Sequence, residues 1–400
     1  LIYHLQSALG IAVIIALAWA LSENRRAFPF RTVLVGLALQ VGIALLLLKV
    51  TVARDVLFSL NGVVDALVAA TKAGTSFVFG YAGGGPAPFT ITNPQAMTSF
   101  AFQILPLVIV ISALAALLWH WRILPLIVGG FAWALRKTMG IGGAVGLGSA
   151  ATIFLGMIEA PLLIRPYLSK LSRAELFMLF SVGLATVAGT VFVLYATILE
   201  PVVPGALGHI LVASFMSLPG AILIARIMIP GDTETDAAIA PEFEYRSSMD
   251  AVARGTEDGL KLWLSIVAML LVIVALVALA DIILTHGPDI AGSPLTVERI
   301  FGWIFAPVVW LYGVPWHEAP AAGALMGDKT VLNEFVAYLK LAALPQGALD
   351  PGSVGILIAG VGSLVPERRA ELVPLAMRAL ISGTMASGLT GAIIGLLPVS

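Results

Sequence analysis

Apolar residues run along this chain in blocks of about 20, the length a helix needs to cross roughly 30 Å of hydrocarbon. Such blocks fall near 5–22, 33–50, 100–119, 173–199, 207–229 and 258–284, and each predicts a membrane-spanning helix. Residues 52–72 follow a different pattern. Val56, Leu60, Val63, Val64, Leu67 and Val68 recur at helical spacing, with Arg54, Asp55, Asp65 and Lys72 between them. This predicts a helix that lies on the membrane surface or packs between subunits. The Gly- and Pro-rich stretch Tyr81–Pro94 predicts a loop. Residues 231–258 carry Asp232, Glu234, Asp236, Glu242, Glu244, Arg246, Asp250 and Arg254. They form the main polar excursion and end in an interfacial helix that leads into the next span.

Two apolar regions do not read as smooth spans. Residues 138–170 are interrupted by glycines, Pro161 and Pro166, and residues 301–345 by Pro307, Pro315 and Pro320, followed by Asp328, Lys329 and Glu334. Interrupted segments in the two halves of a membrane chain point to inverted repeats with a binding site between them. Each predicts a re-entrant helical hairpin whose tip exposes backbone groups at mid-membrane. Glu159 is the acid in the otherwise uncharged stretch Thr138–Ile164, between Gly156 and Pro161. A carboxylate at that depth is costly without a ligand, ion or partner, so it is the first candidate functional residue.

Composition agrees. Of 400 residues, 59% are hydrophobic and 11% charged, and the mean hydropathy is +1.01. These values describe an all-α polytopic membrane protein, multi-pass in lipid. A net charge of −1 offers no basic face for nucleic acid. The absence of cysteine excludes disulfides and thiolate chemistry, and the His residues lack metal-ligand spacing. The chain opens on Leu1, which suggests residues before it, and Glu23-Asn24-Arg25-Arg26 after the first apolar run fits a membrane helix rather than a cleaved signal. Arg25, Arg26 and Arg31, and then Arg122, Arg136 and Lys137, go to the cytoplasmic side by the positive-inside bias, placing the N-terminus outside.

The two interrupted regions resemble the hairpins of the concentrative nucleoside transporter family. Ala151–Tyr167 is similar to the first hairpin, and Gly313-Val314-Pro315-Trp316-His317-Glu318-Ala319 with Asn333-Glu334-Phe335-Val336-Ala337-Tyr338-Leu339 to the second. Ala185–Val191 resembles the family's broken fourth helix; Ala251–Lys261 and Pro366-Glu367-Arg368-Arg369 also match, so the resemblance covers nearly the whole chain in order. It implies a trimeric scaffold of protomers with about eight transmembrane helices and two hairpins in an inverted repeat. It further implies a transporter, not an enzyme, that moves nucleosides across the cell inner membrane with Na⁺ or H⁺ and needs no other cofactor. On that reading Met157, Ile158, Glu159, Val191, Glu334 and Ser353 line the substrate site, with Glu159 on the base and Glu334 on the ribose. Thr152, Leu155, Thr186 and Val187 form a candidate Na⁺ site. The implied organisation is four segments. Residues 1–136 hold scaffold helices and the interfacial helix, and 137–229 the first hairpin with the broken and spanning helices after it. Residues 230–297 hold the polar linker and long scaffold helix, and 298–400 the second hairpin, a shortened seventh helix and the last helix.

Three positions depart from the family pattern. Met157 and Ile158 replace a Gln-Thr pair that hydrogen-bonds the base, which removes directional readout while leaving adaptable apolar packing. Thr152 stands where the family has an ion-site Asn, and Thr186 where it has a Ser, so proton coupling through Glu159 competes with Na⁺. After Tyr338 the chain runs through Leu339–Pro351 directly to Gly352-Ser353-Val354. The apolar run Val354–Val365 makes only about 18 Å of helix. The first half of the seventh helix is therefore missing, with Asp350 near the position of a ribose-contacting Asn. The alternatives are a related transporter for another small polar solute, or a transport-impaired variant. Taken alone, Thr152 and Thr186 read as packing residues or back-bonders, Asp328-Lys329 as a local ion pair, and His317-Glu318 as weak evidence for acid–base chemistry. No paired-Asp, nucleophile or HExxH motif supports an intramembrane hydrolase.

Overall fold

The computed structural model describes residues 2–93, 97–155, 160, 163–168, 170–231, 235, 245–290, 292–331, 334–345, 348–349 and 373–397. Among these, regular structure is helical apart from an isolated bridge between Ile290 and Ser293. The α-helices in chain order are α1 (Ile2–Ala20), α2 (Phe30–Lys49), α3 (Thr51–Phe79), α4 (Leu107–His120) and α5 (Ile123–Met139). The middle of the chain gives α6 (Gly143–Leu155), α7 (Arg165–Leu168), α8 (Arg173–Ala185), α9 (Gly189–Leu199) and α10 (Ala206–Met228). The last set is α11 (Ser248–Thr285), α12 (Val297–Leu311), α13 (Ala319–Val331), α14 (Glu334–Ala343) and α15 (Val373–Leu396). Six stretches of the described residues are long and apolar enough to cross a bilayer: Phe30–Lys49, Gly62–Gly83, Phe100–His120, Ala206–Met228, Ser248–Thr285 and Met377–Leu396.

The apolar blocks near 5–22, 33–50, 100–119, 207–229 and 258–284 each coincide with helix. The block at 173–199 does not form one helix, because it divides into α8 and α9 at Thr186–Ala188. The interfacial helix expected before residue 258 is continuous with its span, giving the 38-residue α11, about 57 Å long. That exceeds the hydrocarbon thickness, and its polar first turns are laced by Arg254–Asp250 (3.1 Å) and Lys261–Glu257 (2.8 Å) pairs.

Two helices differ from the sequence expectation. The surface helix α3 extends to Phe79, and its second half is apolar enough to span. A crossing α3 would put Arg122, Arg136 and Lys137 opposite Arg25, Arg26 and Arg31, so the positive-inside bias favours the surface placement. The helix α5 was not anticipated, since 17 residues fall short of a span. Its Leu124, Val128, Leu135 and Met139 are buried while Leu126 and Trp133 are exposed, and basic residues stand at both ends. That distribution suits a helix lying in the interface plane. It ends on Gly140 at φ 60°, whose N–H bonds Arg136 O at 3.0 Å, a left-handed cap that favours glycine.

The most enclosed spanning helix is α10, wrapped by α2, α8 and α15. Polar knots fix these contacts inside the apolar core. Gln40 Nε2 donates to Met216 O (3.0 Å) and Thr390 Oγ1 (3.2 Å), and Ser217 shares a 3.1 Å bond with Thr390. At the end of α10, Arg226 donates to Thr32 Oγ1 (3.1 Å), Met139 O (3.1 Å) and Gly140 O (2.8 Å), joining it to α2 and α5. Such donors matter because helix ends leave carbonyls without partners.

Helix α11 lies along α4 through glycines at i and i+4. A Cβ on Gly255 would sit 2.7 Å from Ser112 O and 2.8 Å from Ala113 Cα, and one on Gly259 2.7 Å from Ile109 Cα. Small residues let backbones approach this closely. Gly255→Leu and Gly259→Leu should each destabilise the protein by about 1–3 kcal/mol through overpacking. Thermal unfolding followed by tryptophan fluorescence should then begin at lower temperature. Gly42→Ala, where a Cβ meets nothing within 4 Å, should leave the curve in place or shift it upward.

Candidate functional site

The first interrupted region builds one side of the site. In α6 every residue from Gly143 to Ile153 is buried. Glycine spacing permits this: a Cβ at Gly148 would stand 2.8 Å from Leu179 Cδ1 and 3.0 Å from Ile164 Cδ1. The arm ends at Leu155, and the chain is again buried at Ala160, Leu163 and Ile164. Met157, Ile158 and Glu159 lie outside the described residues, as does Ser353.

Facing this arm, α8 ends and α9 begins. Thr186 (φ −105°, ψ 152°) and Ala188 (φ −73°, ψ 140°) are extended, so the helical ladder stops there. The freed backbone groups find side-chain partners on α10, where Ser214 Oγ accepts from Val187 N at 3.2 Å and donates to Val187 O at 3.3 Å. Thr186 Oγ1 donates to Val182 O at 2.9 Å, and Thr152 Oγ1 donates to Ser149 O at 2.7 Å. The two hydroxyl oxygens stand 3.4 Å apart and both residues are buried. Thr186 Oγ1 can direct its one proton to Val182 O or to Thr152 Oγ1, and both hydroxyl oxygens retain lone pairs. Gly189 locks the junction, since a Cβ there would lie 2.5 Å from Phe154 O.

The second interrupted region supplies the other side. Glu334 opens α14, where the positive helix end favours an acid. Tyr195 of α9 donates to Glu334 Oε1 at 3.0 Å, and both side chains are buried. Val191 is one turn from Tyr195 at i,i+4, so it shares the face of α9 that looks toward α14. The ring of Tyr195 lies 4.8 Å from Tyr338 and 6.0 Å from Phe335, and Phe335 lies 4.8 Å from Phe100.

Thr152, Thr186 and Val187 therefore gather with the end of α6 that carries Leu155, and Glu334 with Val191 sits further along α9. One helix touches both groups. The expected Asp328–Lys329 ion pair does not form, because neighbouring helix positions point about 100° apart. Asp328 instead meets Lys340 (3.1 Å), which also holds Glu298 (2.5 Å), while Lys329 is fully buried within electrostatic reach of Glu334. His317 is exposed, 3.4 Å from a buried Glu318. Among the described residues no three His, Asp or Glu gather into a metal site. Tyr195, Tyr338, Lys329 and Ser214 were not among the sequence candidates. A polar tip in an apolar helix is their common signal.

Broken helices that present hydroxyls and a buried acid to an enclosed apolar region define a polytopic membrane transporter, and among the described residues no catalytic constellation is assembled. Known proteins specify the kind. Family models match "Na+ dependent nucleoside transporter N-terminus" over residues 9–82 and "Na+ dependent nucleoside transporter C-terminus" over residues 209–395. A "Nucleoside recognition" model matches residues 101–202. The nucleoside permease NupC of Helicobacter pylori is 34% identical over 98% of this chain and 97% of its own, and the transporter YutK of Bacillus subtilis is 35% identical over 97% and 98%. The structure of CNTnw in an inward-facing substrate-bound state superposes with TM-score 0.87 at 31% identity, covering 98% of this chain and 97% of that one. A CNTnw variant in an outward-facing state gives 0.89 at 32% identity, over 99% and 97%. The chain belongs to the concentrative nucleoside transporter family.

Because Gly189 abuts backbone rather than a flexible side chain, Gly189→Val should force α9 away from α6. The loss should be about 1–3 kcal/mol. In a thermal scan of purified protein this appears as earlier unfolding than Gly42→Ala under the same conditions.

Proposed function

We propose that this protein carries nucleosides across the cell inner membrane by cation-coupled symport with alternating access, working as a homotrimer. The observation that carries the reading is α9 itself. Its N-terminus abuts the paired hydroxyls of Thr152 and Thr186, and its Tyr195 holds Glu334 of the second hairpin. A cation-binding end and a sugar-binding end on one rigid element are what coupled transport needs. The names of relatives point the same way, including a rat sodium/nucleoside cotransporter 29% identical to this chain over 63% of its own length. CNTnw structures in inward-facing, outward-facing and intermediate states support alternating access.

In this reading Glu334 accepts hydrogen bonds from ribose hydroxyls, and Met157, Ile158, Glu159 and Val191 receive the base. Ser353 contributes from the shortened seventh helix. Thr152 and Thr186 offer hydroxyl oxygens, and Leu155 and Val187 backbone carbonyls, to a hard cation such as Na⁺. A second reading, a shifted preference for another small polar solute, is favoured by Met157-Ile158, which cannot read a base edge. A thermal-shift panel of nucleosides, free bases and other polar solutes separates the two, since a ligand raises stability only by binding the folded state.

The direct test is uptake of labelled uridine or adenosine into proteoliposomes under an imposed Na⁺ or H⁺ gradient. Uptake is expected under one of them, and Glu334→Gln should raise the KM for uridine by about tenfold or more, the scale of a charged hydrogen bond. With Na⁺ as the coupling ion, Thr186→Val raises the Na⁺ concentration for half-maximal uptake severalfold. With H⁺, that change is neutral and Glu159→Gln abolishes coupling. Folded trimers that take up neither nucleoside under either gradient would sink the proposal.

A further inference from the structure

Glu334 and Tyr338 are four residues apart on α14, which places them on one face of that helix. Tyr195 reaches this face from α9: its hydroxyl donates to Glu334 Oε1 at 3.0 Å, and its ring lies 4.8 Å from that of Tyr338 at an interplanar angle of 39°. All three side chains are buried, Tyr338 at 1% exposure. The Tyr338 hydroxyl is within electrostatic reach of Glu334, yet it finds no hydrogen-bond partner among the described residues. Buried hydroxyls are almost always bonded, so one that is not is an exception needing an explanation. Phe335 and Phe100 close the aromatic wall behind it.

We propose that Tyr338 is a substrate-contacting residue, its phenol pairing with a sugar hydroxyl next to the one that Glu334 accepts, and that Tyr195 is the positioning residue that aims the Glu334 carboxylate. The inference rests on the nucleoside reading above and adds two residues to its sugar subsite. A phenol has one proton. That of Tyr195 is committed to Glu334, whereas Tyr338 remains able to donate or accept. An acceptor-only carboxylate beside a phenol of this kind suits neighbouring hydroxyls on one sugar ring.

The test is binding to the purified full chain in detergent, by calorimetry, with uridine and 2′,3′-dideoxyuridine as the two probes. The parent should prefer uridine. Tyr338→Phe keeps the ring and its packing, and should weaken uridine by about 5- to 15-fold, the scale of one neutral hydrogen bond, with dideoxyuridine affinity unchanged. Tyr195→Phe should also reduce the preference for uridine over the dideoxy compound, because an unaimed carboxylate no longer recognises the missing hydroxyls. Ligand-free melting curves check that both variants are folded. Unchanged uridine affinity in Tyr338→Phe, or an equal loss for both probes, overturns the assignment. A folded parent that binds neither probe overturns the nucleoside reading itself, an outcome distinct from failure of Tyr338 alone.

Discussion

The structure depends on a helix that stops in the middle of an apolar core. At Thr186–Ala188 the ladder between α8 and α9 is broken, and backbone groups that a continuous helix would satisfy must find partners without water. Ser214 answers for both the N–H and the carbonyl of Val187. Gly189 allows Phe154 to press against the start of α9. Positions around the break are therefore constrained by hydrogen bonding and by contact distance together. Once α9 is fixed at this end, Tyr195 is carried to the second hairpin, so the geometry at Glu334 is inherited from the break.

Three of the buried acids among the described residues, Glu175, Asp328 and Glu334, sit in different physical settings. Glu175 is 1% exposed and fully engaged in structure. It closes a capping box with Ser172 (2.8 Å) and accepts from Thr235 N (3.0 Å) and Oγ1 (2.7 Å). Thr235 O in turn accepts from Ala144 N at 3.3 Å, so the polar linker is sewn to the start of the first hairpin. Asp328 is likewise matched by Lys340 within the second hairpin. Glu334 differs in its setting, because a phenol on another element is among its partners and aromatic rings lie beside it.

Much of this was legible in the sequence, for a definite reason. Hydropathy over 20 residues is a local property, so α1, α2, α4, α10 and α11 could be located from their apolar runs. Pro and Gly likewise marked where hairpins replace spans. Helix α5 escaped because it is too short to span and is preceded by Arg122 in a left-handed conformation (φ 62°) that no residue pattern announces. Asp328-Lys329 misled because adjacency in sequence resembles adjacency in space, which a helix contradicts. Tyr338 stands four residues from Glu334 and was within reach of a spacing argument, but Tyr195 was not, since its bond to Glu334 joins residues 139 positions apart. Only tertiary packing makes them neighbours.

Coupling on the proposed function follows from the same connectivity. Linkage is reciprocal, so a cation that favours a sugar-binding conformation must itself bind better when the sugar is present. Some element has to carry that free energy between the hydroxyl pair and Glu334. Helix α9 touches both: Gly189 meets Phe154 beside Thr152 and Thr186, and Tyr195 two turns on meets Glu334. A shift of α9 along its axis would alter the space between the threonines and the aim of the carboxylate in one motion. Ser214 and the Phe154–Gly189 contact resist small displacements. The arrangement therefore favours discrete states over gradual drift, as packed and hydrogen-bonded junctions generally do. Every group in this line belongs to α6, α9, α10, α14 or the break before α9.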